Sequence, residues 1–190
     1  MNSLPRIVIF ISGSGSNARS VIRHSKENQG YHVQRLYSNK PERGADSITA
    51  DLDVELGLLS DEILAGPALF TKLNEENIQL VVLAGFLRKI PVSFLRGFKG
   101  KLINIHPSLL PAHGGPGMYG QRVHEAVIAN GDTESGCSMH YVDEDYDTGA
   151  VIEQFTCPVL PEDTPKTLAA RVLTLEHEHY PHVIHKLLNP

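Results

Sequence analysis

Leu102-Ile-Asn-Ile-His-Pro-Ser-Leu-Leu-Pro111 is the stretch on which the rest of the chain hangs. Leu102, Ile103 and Ile105 form the apolar run of a buried strand, and Pro107, with no N–H to give a ladder, predicts its end. Asn104 and His106 therefore stand at the carboxyl end of a strand. Period-two alternation sends both side chains to one face and Ile105 to the other. In open α/β sheets ligands bind outside that edge. An amide and an imidazole aimed at one point can stabilise an oxygen that becomes negative during a reaction. The decapeptide alone equally allows a satisfied core asparagine beside a surface histidine, so the surrounding chain must decide.

Arg6-Ile-Val-Ile-Phe-Ile11 reads as a strand buried on both faces of a parallel sheet. It feeds Ser12-Gly-Ser-Gly-Ser-Asn17 and a helical pattern with Val21 and Ile22. Gly13 and Gly15 let the backbone approach a ligand, and Ser16 is placed to cap the helix. A helix N-terminus with small donors suits a phosphate. Gly13-x-Gly15-x-x-Ala18 also meets a relaxed dinucleotide fingerprint. The second strand, Val33 to Ser38, runs into Asn39 and Lys40 with no acid before Glu42, so a single phosphate fits better than a dinucleotide. A tight turn without a ligand is the plain alternative.

Leu80-Val-Val-Leu-Ala84 is a further apolar strand, after which Gly85 permits a sharp exit and Phe86-Leu87 would wall the same sheet edge as His106. Pro91 opens a short helix to about Gly97. Between Pro41 and Asn77 the pattern is weaker: modest helical periodicity over Glu42 to Leu56, a break at Gly66-Pro67, and a helix from Ala68 to Asn77. Downstream, Ala112 to Gly120 is a glycine-rich loop in which His113 is expected in solvent without a role. Gln121 to Asn130 predicts a helix closed by Gly131. Gly136 to Val142 and Ala150 to Cys157 read as strands of a hairpin around the acidic loop Asp143-Glu-Asp-Tyr-Asp-Thr-Gly149. Three of those carboxylates are expected in solvent, with Asp147 turning inward to hold the imidazole of His106. Asp143, Asp145 and Asp147 are spaced like a calcium loop but lack its later glycine and closing glutamate, which disfavours calcium.

Thr164 to Leu188 predicts a long helix with Thr164 or Asp163 as cap, Pro165 in the first turn and a bend at Pro181. Leu168, Val172, Leu175, His179 and Ile184 form its apolar stripe. The run Glu176-His177-Glu178-His179 departs from the His-Glu-x-x-His zinc pattern, so exposed imidazoles on a half-buried helix are expected. The elements together predict an α/β fold: a Rossmann-like, mostly parallel sheet flanked by helices, with an antiparallel C-terminal edge hairpin.

Composition narrows the function classes. The 190 residues, 41% hydrophobic and 21% charged, suit one globular domain over 1–190. A net charge of −5 argues against a nucleic-acid footprint. No run approaches the ~18 apolar residues of a membrane helix. No basic segment leading into an apolar one opens the chain, and Cys137 and Cys157 lack metal spacing, so a cytoplasmic location is the default.

Ile11 to Asn17, Tyr37-Ser-Asn-Lys40, Val82 to Arg88, Asn104 to Pro111, Asp147-Thr-Gly149, Glu176-His177 and Tyr180-Pro181 together resemble the glycinamide ribonucleotide formyltransferases, folate-dependent enzymes of purine biosynthesis. The resemblance implies 10-formyltetrahydrofolate as donor, the amine of phosphoribosylglycinamide as acceptor and no metal. It makes Asn104, His106 and Asp147 catalytic. Gly13, Gly15, Ser16, Asn17 and Glu176 match the ribonucleotide site. Leu87, Arg88, Lys89 and Ile90, with Asp143, Glu144, Asp145, Tyr146 and Asp147, match the folate pocket. Partners are then small molecules, with neither nucleic acid nor membrane, in a monomer or homodimer. Three departures stand out: no arginine between Gly57 and Leu80 for the donor's glutamate tail, a poor match over Pro41 to Leu56, and a long, glycine-rich 112–120 loop. Methionyl-tRNA formyltransferase would bring a second domain and formyltetrahydrofolate hydrolase a regulatory one. A sugar N-formyltransferase is the nearer rival, and the phosphate turn favours the ribonucleotide. A non-catalytic nucleotide-binding module would keep that turn without needing His106 and Asp147 together.

Overall fold

The computed structural model describes residues 4–190. Seven strands, β1 (Arg6–Ile11), β2 (His32–Ser38), β3 (Glu55–Leu58), β4 (Ile78–Leu83), β5 (Lys101–His106), β6 (Glu134–Tyr141) and β7 (Val151–Pro158), form one sheet. Its order is β3-β2-β1-β4-β5-β6-β7. The first five strands pair in parallel, and the β6–β7 hairpin adds antiparallel pairings beside β5. The helices are α1 (Ser16–Asn28), α2 (Ala45–Leu52), α3 (Asp61–Ala65), α4 (Pro67–Glu75), α5 (Val92–Gly97), α6 (Gln121–Asn130) and α7 (Pro165–Leu188).

Alternation along β1 divides the core. Ile7, Ile9 and Ile11 join Val21, Val127, Val172 and Tyr180 from α1, α6 and α7 on one face. Val8 and Phe10 join Leu73 and Phe94 from α4 and α5 on the other. On that second face Phe10 meets Tyr37, Phe86 and Phe94 edge-on, with ring centroids 5.4, 5.6 and 6.0 Å away. Covering helices on both faces leave β1 and β4 no solvent side, which is why both read as unbroken apolar runs.

The edge strand β3 departs from the expected helical stretch over Glu42 to Leu56. That stretch holds a short 3-10 turn at Pro41–Arg43, then α2, then the strand. Arg35 of β2 explains the pairing: its guanidinium, though buried, reaches Glu55 at 2.7 Å, Glu76 at 3.2 Å and the Tyr37 hydroxyl at 3.1 Å. A Cβ on Gly57 would lie 2.3 Å from the Tyr37 ring, so the strand can come this close only with glycine there.

The long helix α7 starts in a capping box between Thr164 and Thr167. Its buried stripe is Leu168, Val172, Glu176, Tyr180, Val183 and Ile184, which puts a carboxylate where apolar spacing alone expected Leu175. Pro181 has no N–H for the carbonyl of His177 four residues earlier. That carbonyl accepts instead from the Ser20 hydroxyl of α1 at 2.6 Å. The proline thereby ties two helices together.

Candidate active site

Beyond the carboxyl ends of β4 and β5 lies a cavity of about 640 Å³ that reaches from Phe86 and Ile90 to Glu176. Asn104 and His106 both line it, as their alternation predicted. The antiparallel register sets Asn104 opposite His140 and His106 opposite Ser138. His140 is buried; a carbonyl can only accept, so its Nδ1–H donates to Tyr141 at 2.9 Å, and Nε2 accepts from the Asn104 amide at 3.1 Å. Burial holds the His140 pKa below its ordinary value, against the opposing Tyr141 carbonyl and Asp147 carboxylate. A neutral imidazole thus fixes which end of the Asn104 amide faces the cavity.

His106 is oriented in the same manner. Its Nε2–H donates to the carbonyl of His113 at 2.9 Å, which turns Nδ1 toward Asp147, 3.5 Å away. Asp147 sits in the left-handed region at φ 57° with its side chain only 10% exposed. One carboxylate oxygen accepts the Gly115 N–H at 2.9 Å, and the other lies 3.6 Å from His140 Nε2. A Cβ on Gly149 would fall 1.9 Å from the Tyr141 carbonyl, so glycine is required for the acidic loop to fold back this tightly. Asp143 accepts the Thr148 hydroxyl at 2.6 Å, Asp145 faces Lys89 and Glu144 faces Arg96. Asp143, Glu144 and Asp145 are exposed, and Asp147 alone among the four is mostly covered. Among the described residues no group of three or more His, Cys, Asp or Glu is arranged to hold a metal.

At the other end of the cavity the Asn17 amide donates to Glu176 at 2.6 Å, while the buried Asn17 Oδ1 has no partner among the described residues. Burial pushes the Glu176 carboxyl up to about 7, with the Asn17 hydrogen bond pulling the other way. Helix α1 differs from the expected cap: Gly15 is the N-cap at φ 69°, Ser16 is the first helical residue, and no side chain closes the helix end. The first-turn amides are left without a side-chain cap, which favours an anion more than the expected serine cap would. Ser16 lines a second cleft with Ser14, Arg19 and Arg23 rather than the main cavity. Gly13 and Gly15 line neither; a Cβ on Gly15 would meet Ile48 at 2.5 Å.

Leu87, Arg88, Lys89 and Ile90 line the cavity, as do Asp143, Asp145 and Tyr146. Glu144 does not, because its pairing with Arg96 at 3.0 Å draws it outward. The 85–87 turn is anchored to the end of β1: Ser12 N–H donates to Gly85 and the Ser12 hydroxyl accepts from Leu87 N–H. Arg88 pairs with Asp61 at 3.3 Å.

The formyl transferase family model matches residues 5–184. The chain belongs to the formyl transferase family. It is 43% identical over 188 residues to a chloroplastic phosphoribosylglycinamide formyltransferase of Vigna unguiculata, covering 96% of this chain and 60% of that one. It therefore spans less than two thirds of that relative's length. The crystal structure of a phosphoribosylglycinamide formyltransferase from Bacillus halodurans superposes with a TM-score of 0.85 at 34% identity, over 97% of this chain and 95% of that one. One from Brucella melitensis gives 0.86 at 32% identity, over 98% and 97%.

Two cavity residues of this family member carried no signal in the sequence. His140 lies inside an ordinary alternating strand and gains its place only through pairing with Asn104. His124 sits among the apolar residues of α6; it is buried against the cavity, its Nδ1 has no partner among the described residues, and burial followed by His106 lowers its pKa. His113 corrects the expectation of a solvent-facing ring. It is mostly covered and pairs with Asp132 at 2.6 Å.

Proposed function

We propose that this chain, acting as a single formyltransferase domain over 1–190, moves the formyl group of 10-formyltetrahydrofolate to the amine of phosphoribosylglycinamide. The observation that carries the reading is the Asp147 carboxylate lying 3.5 Å from His106 Nδ1, with Asn104 on the same cavity wall. The acceptor amine attacks the formyl carbon, its new C–N bond forms, and the formyl oxygen becomes an oxyanion. His106 Nδ1, when it carries a proton, and the second N–H of the Asn104 amide are placed to donate to that oxygen. Losing one such donor costs about 2.7–4 kcal/mol of barrier. Asp147 takes a proton from the attacking nitrogen, and the departing N10 of the folate receives one as its bond to carbon breaks. Holding both substrates in one cavity supplies much of the remaining acceleration.

The uncapped α1 start, with Gly13, Gly15 and Ser16, receives the phosphate, and the Asn17–Glu176 pair receives the ribose or glycinamide groups, which would satisfy the open Asn17 Oδ1. Leu87 to Ile90, with Asp143, Asp145, Tyr146 and Asp147, hold the pterin. Arg88 and Lys89 line the cavity and would meet the donor's carboxylate tail in place of the arginine missing from 57–80. No metal enters the scheme, the partners are these small molecules with neither nucleic acid nor membrane, and the chain works in the cytoplasm as a monomer or homodimer. Among the described residues no helix is long and apolar enough to cross a membrane. A panel of formyl folate with phosphoribosylglycinamide, amino sugars or water as acceptor tests the reading. Formylation of the ribonucleotide amine supports it; hydrolysis alone, or transfer only to an amino sugar, refutes it.

A further inference from the structure

We infer that His113 and Asp132 form a positioning pair that sets the orientation of the catalytic imidazole of His106. His113 holds a left-handed backbone at φ 53°, a conformation unfavourable for a residue other than glycine and kept only where its surroundings enforce it. In that conformation its carbonyl meets His106 Nε2 at 2.9 Å, while two residues on the Gly115 N–H reaches Asp147 at 2.9 Å. One short turn thus touches both the imidazole and the carboxylate of the proposed reaction centre.

The enforcing contact comes from outside that centre. His113 Nε2 lies 2.6 Å from Asp132 Oδ2, and the other Asp132 oxygen accepts from Asn130 at 2.7 Å. These two bonds, that of His113 first, hold the Asp132 carboxyl below its ordinary range. Asp132 itself is fixed at the end of α6, where its N–H donates to Val127 and that of Gly131 to Ile128. With side chains 15% and 27% exposed, the pair is better shielded than an open surface ion pair. Ser108, donating to the Ala112 carbonyl at 2.6 Å, holds the turn from its other side. The His113 ring therefore acts through its own backbone: anchoring the side chain fixes the carbonyl, and the carbonyl fixes which nitrogen of His106 faces the formyl group.

The kinetic part of this inference rests on the proposed formyl transfer, so the test pairs kinetics with a readout that needs no turnover. Asp132→Ala and His113→Phe remove the anchor, whereas Asp132→Asn keeps an acceptor for the His113 N–H. Side-chain ¹⁵N NMR of the ligand-free protein reads the protonation pattern of His106, and circular dichroism confirms folding. Because about 1 Å of misplacement can cost about 100-fold and the carbonyl stays tethered by the chain, kcat should fall about tenfold in the first two variants with both KM values unchanged. The His106 Nε2–H signal should shift or broaden in the same two and stay in place, with near-normal kcat, in Asp132→Asn. If Asp132→Ala does not fold, His113→Phe, which keeps the bulk of the ring, decides alone. A His106 signal identical to wild type in the unanchored variants overturns the inference, as does a rise in KM at constant kcat. Wild-type protein without formyl transfer would refute the proposed function and leave the NMR comparison to judge the pair.

Discussion

Replacing Glu176 by Gln should make the protein more stable at alkaline pH and hardly change it at acid pH. The carboxyl is 7% exposed and stands at about 7 against an ordinary 4.5. Between those values the folded state retains a proton that the unfolded chain has released, so stability falls as pH rises through this window and levels off above it. At about 1.36 kcal/mol per unit, the penalty reaches about 3 kcal/mol in full. Near pH 5 only a fraction, about 1 kcal/mol or less, is present. Glutamine keeps the shape, still accepts from Asn17 and can donate to its open oxygen, but never ionises. Urea denaturation of both proteins at about pH 5 and about pH 8.5 should therefore show the gap between them widening by about 2–3 kcal/mol. Thermal melts should separate by about 5–10 °C at the higher pH. A difference that does not change with pH would refute the reasoning, because it would mean that the carboxylate is not paying for its burial.

His106→Ala or Asp147→Ala should lower turnover by about 100-fold or more with an unchanged circular dichroism spectrum; normal turnover in either removes its role. Asn17→Ala should raise the KM for the ribonucleotide about tenfold and leave the KM for formyl folate alone, as steady-state kinetics can check. Ser20→Ala strips the His177 carbonyl of its partner and should cost about 1–3 kcal/mol in urea denaturation, with the slope of the transition unchanged.

What could be read from the sequence follows the range of the interactions involved. Asn104 and His106 were legible because two residues on one strand share a face whatever lies around them. Asp147 was legible from the glycine that follows it and from the family resemblance. His140 was not, because its place in the cavity comes from cross-strand register with a residue 36 positions away. The strand β3 was missed for a similar reason: Glu55-Leu-Gly-Leu58 has little intrinsic strand character and is held by Arg35 of β2. His113 was misread because its partner lies 19 residues on, past a whole helix. The stripe on α7 was off by one position since spacing rules assign buried sites to apolar residues, and here the buried site carries Glu176.

The hydroxyl of Ser20 grips α7 one residue beyond Glu176, and Asn17 grips Glu176 itself from the preceding turn of α1. Two fastenings a turn apart prevent either helix from sliding or rolling past the other. The Asn17–Glu176 end of the cleft is consequently a fixed jaw. The 112–120 segment on the opposite side is fastened too: Asp132 and Ser108 hold its first turn, and its peptide groups touch both His106 and Asp147. In the proposed transfer, a shift of that turn would reach His106 and Asp147 together, so the cleft would seat its substrates and set its reacting groups through the same few contacts.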